Sequence, residues 1–127
     1  MSFSVKKILY VDDSPTMRQI VDLVFKQAGF DVMLAEDAMH ALNYLECNHF
    51  DIIITDFNMP KMNGIEFTRQ AKLLPYHRAT PIVMLTPEMS EQKMEEGKLA
   101  GIRAWVNKPV KPDKLIATVE KLLSAAS

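Results

Sequence analysis

A single cysteine, Cys47, stands in 127 residues. No internal disulfide can form, and a reducing cytoplasm fits. The residue reads as a small side chain near a helix end. No apolar run approaches the ~18 residues of a membrane-spanning helix. The N-terminus enters a strand-like segment almost at once, without the apolar stretch of a secretory signal. An excess of either charge is also missing: 15 Lys and Arg stand against 16 Asp and Glu, for a net charge of −1. Nothing global therefore points to nucleic acid. Repeats, low-complexity tracts and linkers are missing too. What is present is a 48% hydrophobic, 24% charged chain, ordinary for a globular protein and long enough for a real core. It reads as one domain, 1–127, with no output domain attached. Nine methionines read as core filling.

Strand-like and helix-like segments alternate from end to end. Lys6–Val11 reads as a buried strand. Ser14 is an N-cap with Pro15 at the first helical position. Met17, Ile20, Val21, Val24, Phe25 and Ala28 then follow helical spacing, and Gly29 stops the helix. Asp31–Ala35 is a short strand. Asp37 caps a helix through about Glu46, with Ala38, Ala41, Leu42 and Leu45 inward. Asp51–Thr55 is the most apolar strand and is expected at the centre. Pro60, Asn63 and Gly64 mark a loop over 58–64. A helix from about Gly64 ends before Pro75, and Pro81–Thr86 is another strand. Ser90 opens a polar helix through about Leu99, closed near Gly101. Ile102–Val106 is the last strand. Pro112 opens the final helix, with Leu115, Ile116, Val119, Leu122 and Leu123 on its core face. Five strand–helix units with short, right-handed connections predict an α/β fold: a doubly wound parallel sheet with helices on both faces.

That fold brings the chemistry together. Asp12 and Asp13 end one apolar run, Asp56 ends a second, and Lys108 follows the segment Ala104-Trp105-Val106. In an open α/β sheet these positions meet at the carboxyl edge, where ligands bind. Carboxylates crowded there repel one another unless a divalent cation sits between them, so a Mg²⁺ site with a phosphoryl group nearby is the economical reading. Asp13 and Asp56 each offer one oxygen and the Asn58 main-chain carbonyl a third. Asp12 helps directly or through water. Asp56 is the candidate nucleophile, since a carboxylate can form an aspartyl phosphate. Lys108 supplies a point charge and Thr86 a hydroxyl donor.

Four segments carry a resemblance: Ile8-Leu9-Tyr10-Val11-Asp12-Asp13-Ser14, Asp56-Phe57-Asn58-Met59-Pro60-Lys61-Met62-Asn63-Gly64, Thr86-Pro87-Glu88 and Lys108-Pro109. From about Lys6 to Leu123 the chain resembles response-regulator receiver domains, specifically the stand-alone chemotaxis type. Met59, Pro60 and Gly64 at the family's spacing from Asp56 are the most specific part. The resemblance implies a flavodoxin-like five-stranded sheet of order 2-1-3-4-5. It implies that Asp56 accepts phosphate from a histidine kinase. Asp12 and Asp13 hold Mg²⁺ (or Mn²⁺), with Asn58 giving its carbonyl. Lys108 contacts the phosphoryl group, and Thr86 moves inward to bond it. Trp105, three before Lys108, rotates from exposed to buried, and the Lys108–Pro109 bond is cis. Trp105 departs from the usual tyrosine or phenylalanine, and its greater size puts the extent of that rotation in question. Pro87 stiffens the loop that must shift. Asn58 and Glu88 flank the path of hydrolytic water and tune dephosphorylation, giving a phosphoryl lifetime of seconds to minutes.

Further expectations follow from the resemblance. The readout face is the α4-β5-α5 surface, built from the Ser90–Leu99 helix, the last strand and the final helix. The polar helix, with Glu91, Lys93, Glu95, Glu96 and Lys98, is either a solvated face or a docking surface to which Trp105 and Met94 add apolar contact. Expected partners are a histidine kinase of the chemotaxis type, a flagellar motor switch protein or another downstream protein, and a phosphatase. Neither nucleic acid binding nor membrane insertion is expected, and a monomer is the default. The chain is expected to be a phosphoacceptor with self-catalysed transfer and dephosphorylation, not an enzyme in its own right. Service in a phosphorelay or as a phosphate sink outside chemotaxis stays open. An aspartyl-phosphate phosphatase would want an acid two residues beyond its nucleophile, where this chain has Asn58. An interaction module that had lost phosphorylation would not need all five site residues.

Overall fold

The computed structural model describes residues 5–126. Five strands, β1 (Lys7–Val11), β2 (Asp31–Ala35), β3 (Ile52–Asp56), β4 (Ile82–Thr86) and β5 (Ala104–Asn107), alternate with five helices. These are α1 (Pro15–Gln27), α2 (Ala38–Cys47), α3 (Gly64–Leu73), α4 (Glu91–Ala100) and α5 (Pro112–Ala126). All strand pairs are parallel, in the order β2-β1-β3-β4-β5, so β3 is central as its composition predicts.

Side-chain alternation along the strands builds two faces. Leu9, Val11, Ile53 and Ile82 pack with Ala41, Leu45, Phe67 and Ala71 of α2 and α3. Ile8, Tyr10, Ile52, Ile54, Val83 and Leu85 pack with Val21, Phe25, Leu115 and Val119 of α1 and α5. A smaller cluster of Ile65, Met84 and Ile102, with Trp105 and Phe57 against it, lies beneath α4. Burial of the inner strands β1, β3 and β4 on both faces explains their unbroken apolar runs.

The helix starts follow local chemistry. Ser14, Asp37, Asn63 and Ser90 each accept a backbone N–H two or three positions into α1, α2, α3 and α4. Gly101, at φ 114°, closes α4 in a conformation that a side chain would strain. Small differences from expectation have plain causes. Ile20 and Ala28 share the α1 spacing but lie exposed, because the buried stripe is centred on Val21 and Phe25. Pro75 does not simply end α3: it opens a 3₁₀ turn over Pro75–His77, held by the buried His77, whose Nε2 lies 3.0 Å from the Leu45 carbonyl oxygen. No described helix is long and apolar enough to cross a membrane.

Candidate functional site

Strand register sets the site. Val11 is abreast of Thr55, so Asp12 follows beside Asp56; Asp56 is abreast of Leu85, and Thr86 of Asn107. Four strands thus deliver Asp12, Asp56, Thr86 and Lys108 to one edge. Asp12, Asp13 and Asp56 offer carboxylate oxygens within 4.8 Å of one another. Asp12 and Asp56 are 1% and 3% exposed, whereas Asp13 faces solvent.

The two buried acids are held differently. Asp12 is fully answered: the Tyr10 hydroxyl donates to Oδ2 at 2.6 Å and the Ser14 N–H to Oδ1 at 2.9 Å. Arg18 Nη1 donates to the Asp12 backbone carbonyl at 2.7 Å. Asp56 is held otherwise: the Lys108 ammonium, 2.8 Å from Oδ1, is the group that answers that buried oxygen, and no backbone N–H or hydroxyl joins it there. Burial pushes the Asp56 carboxyl above its ordinary pKa. Lys108 opposes that rise, the Asp12 charge adds to it, and the Asn58 backbone N–H lowers it. Burial, then the bond to Asp12, likewise raises the Tyr10 phenol well above its ordinary value. A buried carboxylate beside two further carboxylates, with one lysine to offset their charge, suits a hard divalent cation, which takes oxygen ligands and retains water.

The loop over 57–63 is tied to β3. Gly64 N–H donates to the Phe57 carbonyl at 2.9 Å, and a Cβ on Gly64 would lie 2.7 Å from the Asp56 carbonyl and against Met84 Sδ. Only glycine allows α3 to start this close to the end of β3. Asn58 is exposed. Thr86 is fully buried, and its hydroxyl is held within its own loop: Oγ1 donates to the Glu88 carbonyl at 3.0 Å and accepts from the Glu88 N–H at 3.2 Å. The Glu88 side chain is exposed and lies 3.9 Å from Lys93, which also sits over the Phe57 ring. Lys108 N–H donates to the Thr86 carbonyl at 2.9 Å, and the Lys108–Pro109 bond is cis.

Trp105 is half-buried, its six-membered ring laid on Gly97 of α4; a Cβ there would come within 2.7 Å of Cη2. Trp105 also lines an open groove with Glu91, Met94, Glu95, Lys98 and Arg103. The structure therefore gathers Asp12, Asp13, Asp56 and Lys108 closely, places Thr86 at the same edge, and sets Trp105 two residues back along β5, against α4. Sequence reasoning missed Tyr10, Arg18 and Gly97. A tyrosine in a run of buried aliphatics was the available signal for the first, since a buried phenol needs a partner. Arg18 and Gly97 left no local pattern.

An acidic cluster at the end of the central strand of a 2-1-3-4-5 sheet, with a lysine reaching in from β5, defines a receiver domain, and residues 8–120 match the response regulator receiver domain family. The chain belongs to that family and is a receiver of two-component signalling, a class of response regulator. It is 35% identical to the chemotaxis protein CheY of Pseudomonas aeruginosa over 117 residues, covering 91% of this chain and 94% of that one. Its fold superposes on Vibrio cholerae chemotaxis protein CheY4 with a TM-score of 0.90 at 40% identity, covering 93% and 98%. It also superposes on the receiver domain of the Pseudomonas aeruginosa sensor histidine kinase PA1611, with a TM-score of 0.86 at 25% identity, covering 95% and 99%. That structure has a magnesium ion coordinated in its active-site cleft.

Proposed function

We propose that the chain accepts a phosphoryl group from a histidine kinase on Asp56, in a Mg²⁺-dependent step, and thereby alters the surface of α4, β5 and α5 to bind a partner in chemotaxis. The observation that carries this reading is the buried Asp56 carboxylate, set beside two further acids and contacted by the Lys108 ammonium.

Asp13, Asp56 and the Asn58 main-chain carbonyl would hold the ion, with Asp12 helping directly or through water. When bound, Mg²⁺ supplies positive charge that screens the carboxylates and the phosphoryl oxygens. An Asp56 oxygen attacks the phosphorus of a phosphohistidine; the new O–P bond forms as the N–P bond breaks, and the imidazole leaves. Lys108, already beside Oδ1, shifts to the transferred group's oxygens. Thr86 exchanges its Glu88 contacts for a phosphoryl oxygen. That movement frees space beside Thr86, into which Trp105 turns from its present seat on Gly97. Phosphate thus acts as a local charge that biases a two-state element. Likeness to named chemotaxis proteins supports a flagellar motor switch protein as the downstream partner.

Trp105 fluorescence and intact mass, followed while Mg²⁺ and then acetyl phosphate are added, test the reading, with Asp56→Asn as control. One added phosphoryl group on wild type, none on the control, and a parallel change in emission are expected. The adduct should decay over seconds to minutes. Absence of an adduct from acetyl phosphate and from a phosphorylated histidine kinase alike would sink the phosphoacceptor reading.

A further inference from the structure

Tyr10 lies on β1 with its ring wholly buried between the sheet and the α1–α5 layer. Its neighbours there are apolar, and packing alone gives no reason for a hydroxyl. The hydroxyl reaches the carboxyl edge and donates to Asp12 Oδ2 at 2.6 Å, a short, charge-assisted contact between two groups shielded from water. The other Asp12 oxygen accepts the Ser14 N–H. Of the two buried acids, Asp12 therefore accepts hydrogen bonds on both oxygens from within the fold, while Asp56 Oδ1 is met by the Lys108 ammonium.

We propose that Tyr10 sets the strength of cation binding through Asp12: by answering part of the Asp12 charge from within the core, its hydroxyl weakens the cluster's hold on a divalent cation. The inference deepens the Mg²⁺-dependent reading above and rests on it. Without a cation, the hydroxyl keeps Asp12 from being a buried, unanswered charge beside Asp56. With one, that charge is answered anyway. Removing the hydroxyl therefore destabilises the cation-free chain more than the loaded one, and by linkage the cation binds more tightly. The benefit to the protein is an acidic pair that stays folded when Mg²⁺ is scarce and releases the ion readily.

Tyr10→Phe removes the oxygen and leaves the ring in place. Mg²⁺ titration by calorimetry at neutral pH, on wild type and variant, is expected to give a Kd about three- to tenfold lower for the variant. Urea unfolding is expected to show the variant less stable in EDTA, with most of the gap closed at saturating Mg²⁺. A role in packing alone would lower stability equally in both conditions and leave Kd unchanged. A role in pre-orienting Asp12 as a ligand would raise Kd. Either result overturns the inference. Tyr10→Leu, which also lacks the hydroxyl, provides the same comparison of EDTA with Mg²⁺ if the phenylalanine variant folds poorly. Wild type that binds no Mg²⁺ would instead overturn the metal-site reading itself, which separates the two failures.

Discussion

At the scale of single residues, the site sets one acid held by a hydroxyl and a backbone N–H beside one held by a lysine. Asp56 has its folded pKa raised, chiefly by burial. The unfolded carboxyl ionises near the ordinary value of about 4, whereas the folded one holds its proton to higher pH. The neutral form's stability is fully present below that ordinary value and is lost as pH rises through the raised folded pKa. Asp56→Asn keeps the shape and removes the titration. It is expected to match wild type near pH 4 and to exceed it at pH 7.5 by on the order of 1 kcal/mol in EDTA. Urea midpoints at the two pH values measure this, and a gap that does not change with pH would contradict it. Mg²⁺ should raise wild type toward the variant.

At the scale of elements, α4 is built loosely on purpose of access rather than of packing. Its residues are mostly polar, Gly97 is its one buried position, and Trp105 lies on that glycine. Gly97→Ala gains helix propensity of about 1 kcal/mol and pushes the indole off its seat at a cost of roughly 1–3 kcal/mol. A red-shifted Trp105 emission, with unchanged Asp56 phosphorylation, is the expected result; an unshifted spectrum would mean the indole does not depend on that contact. Each element had a local signal in the sequence: Ser14, Asp37 and Ser90 as caps, Gly29 and Gly101 as stops, and unbroken aliphatic runs for strands. The 3₁₀ turn at Pro75–His77 had none, because its cause is a buried histidine reaching Leu45, 32 residues earlier in the chain. The Trp105–Gly97 contact was equally illegible. Their closeness depends on how β5 passes under α4, which no local spacing encodes.

At the scale of the whole molecule, the acid residues and Lys108 were legible because parallel register converts distant strand ends into neighbours. What lay beyond reach was how Asp12 is held, since Tyr10 reaches its carboxylate from β1 and Arg18 its backbone carbonyl from α1 through side-chain reach rather than sequence pattern. On the proposed reading, the cluster would couple cation binding to global stability. Each tenfold rise in Mg²⁺ above Kd is expected to add about 1.4 kcal/mol to unfolding free energy, measurable as a steady climb of the urea midpoint. A midpoint indifferent to Mg²⁺ would show that the acids do not form a working ion site.

The Thr86 hydroxyl makes both of its hydrogen bonds inside its own loop, to the carbonyl and N–H of Glu88. At about 1 kcal/mol each, breaking both leaves the released hydroxyl only a few per cent populated. On the proposed mechanism, a receiver anchored in this way is expected to idle quietly: its background output would be small, and what a cell reads from it would be almost entirely stimulus.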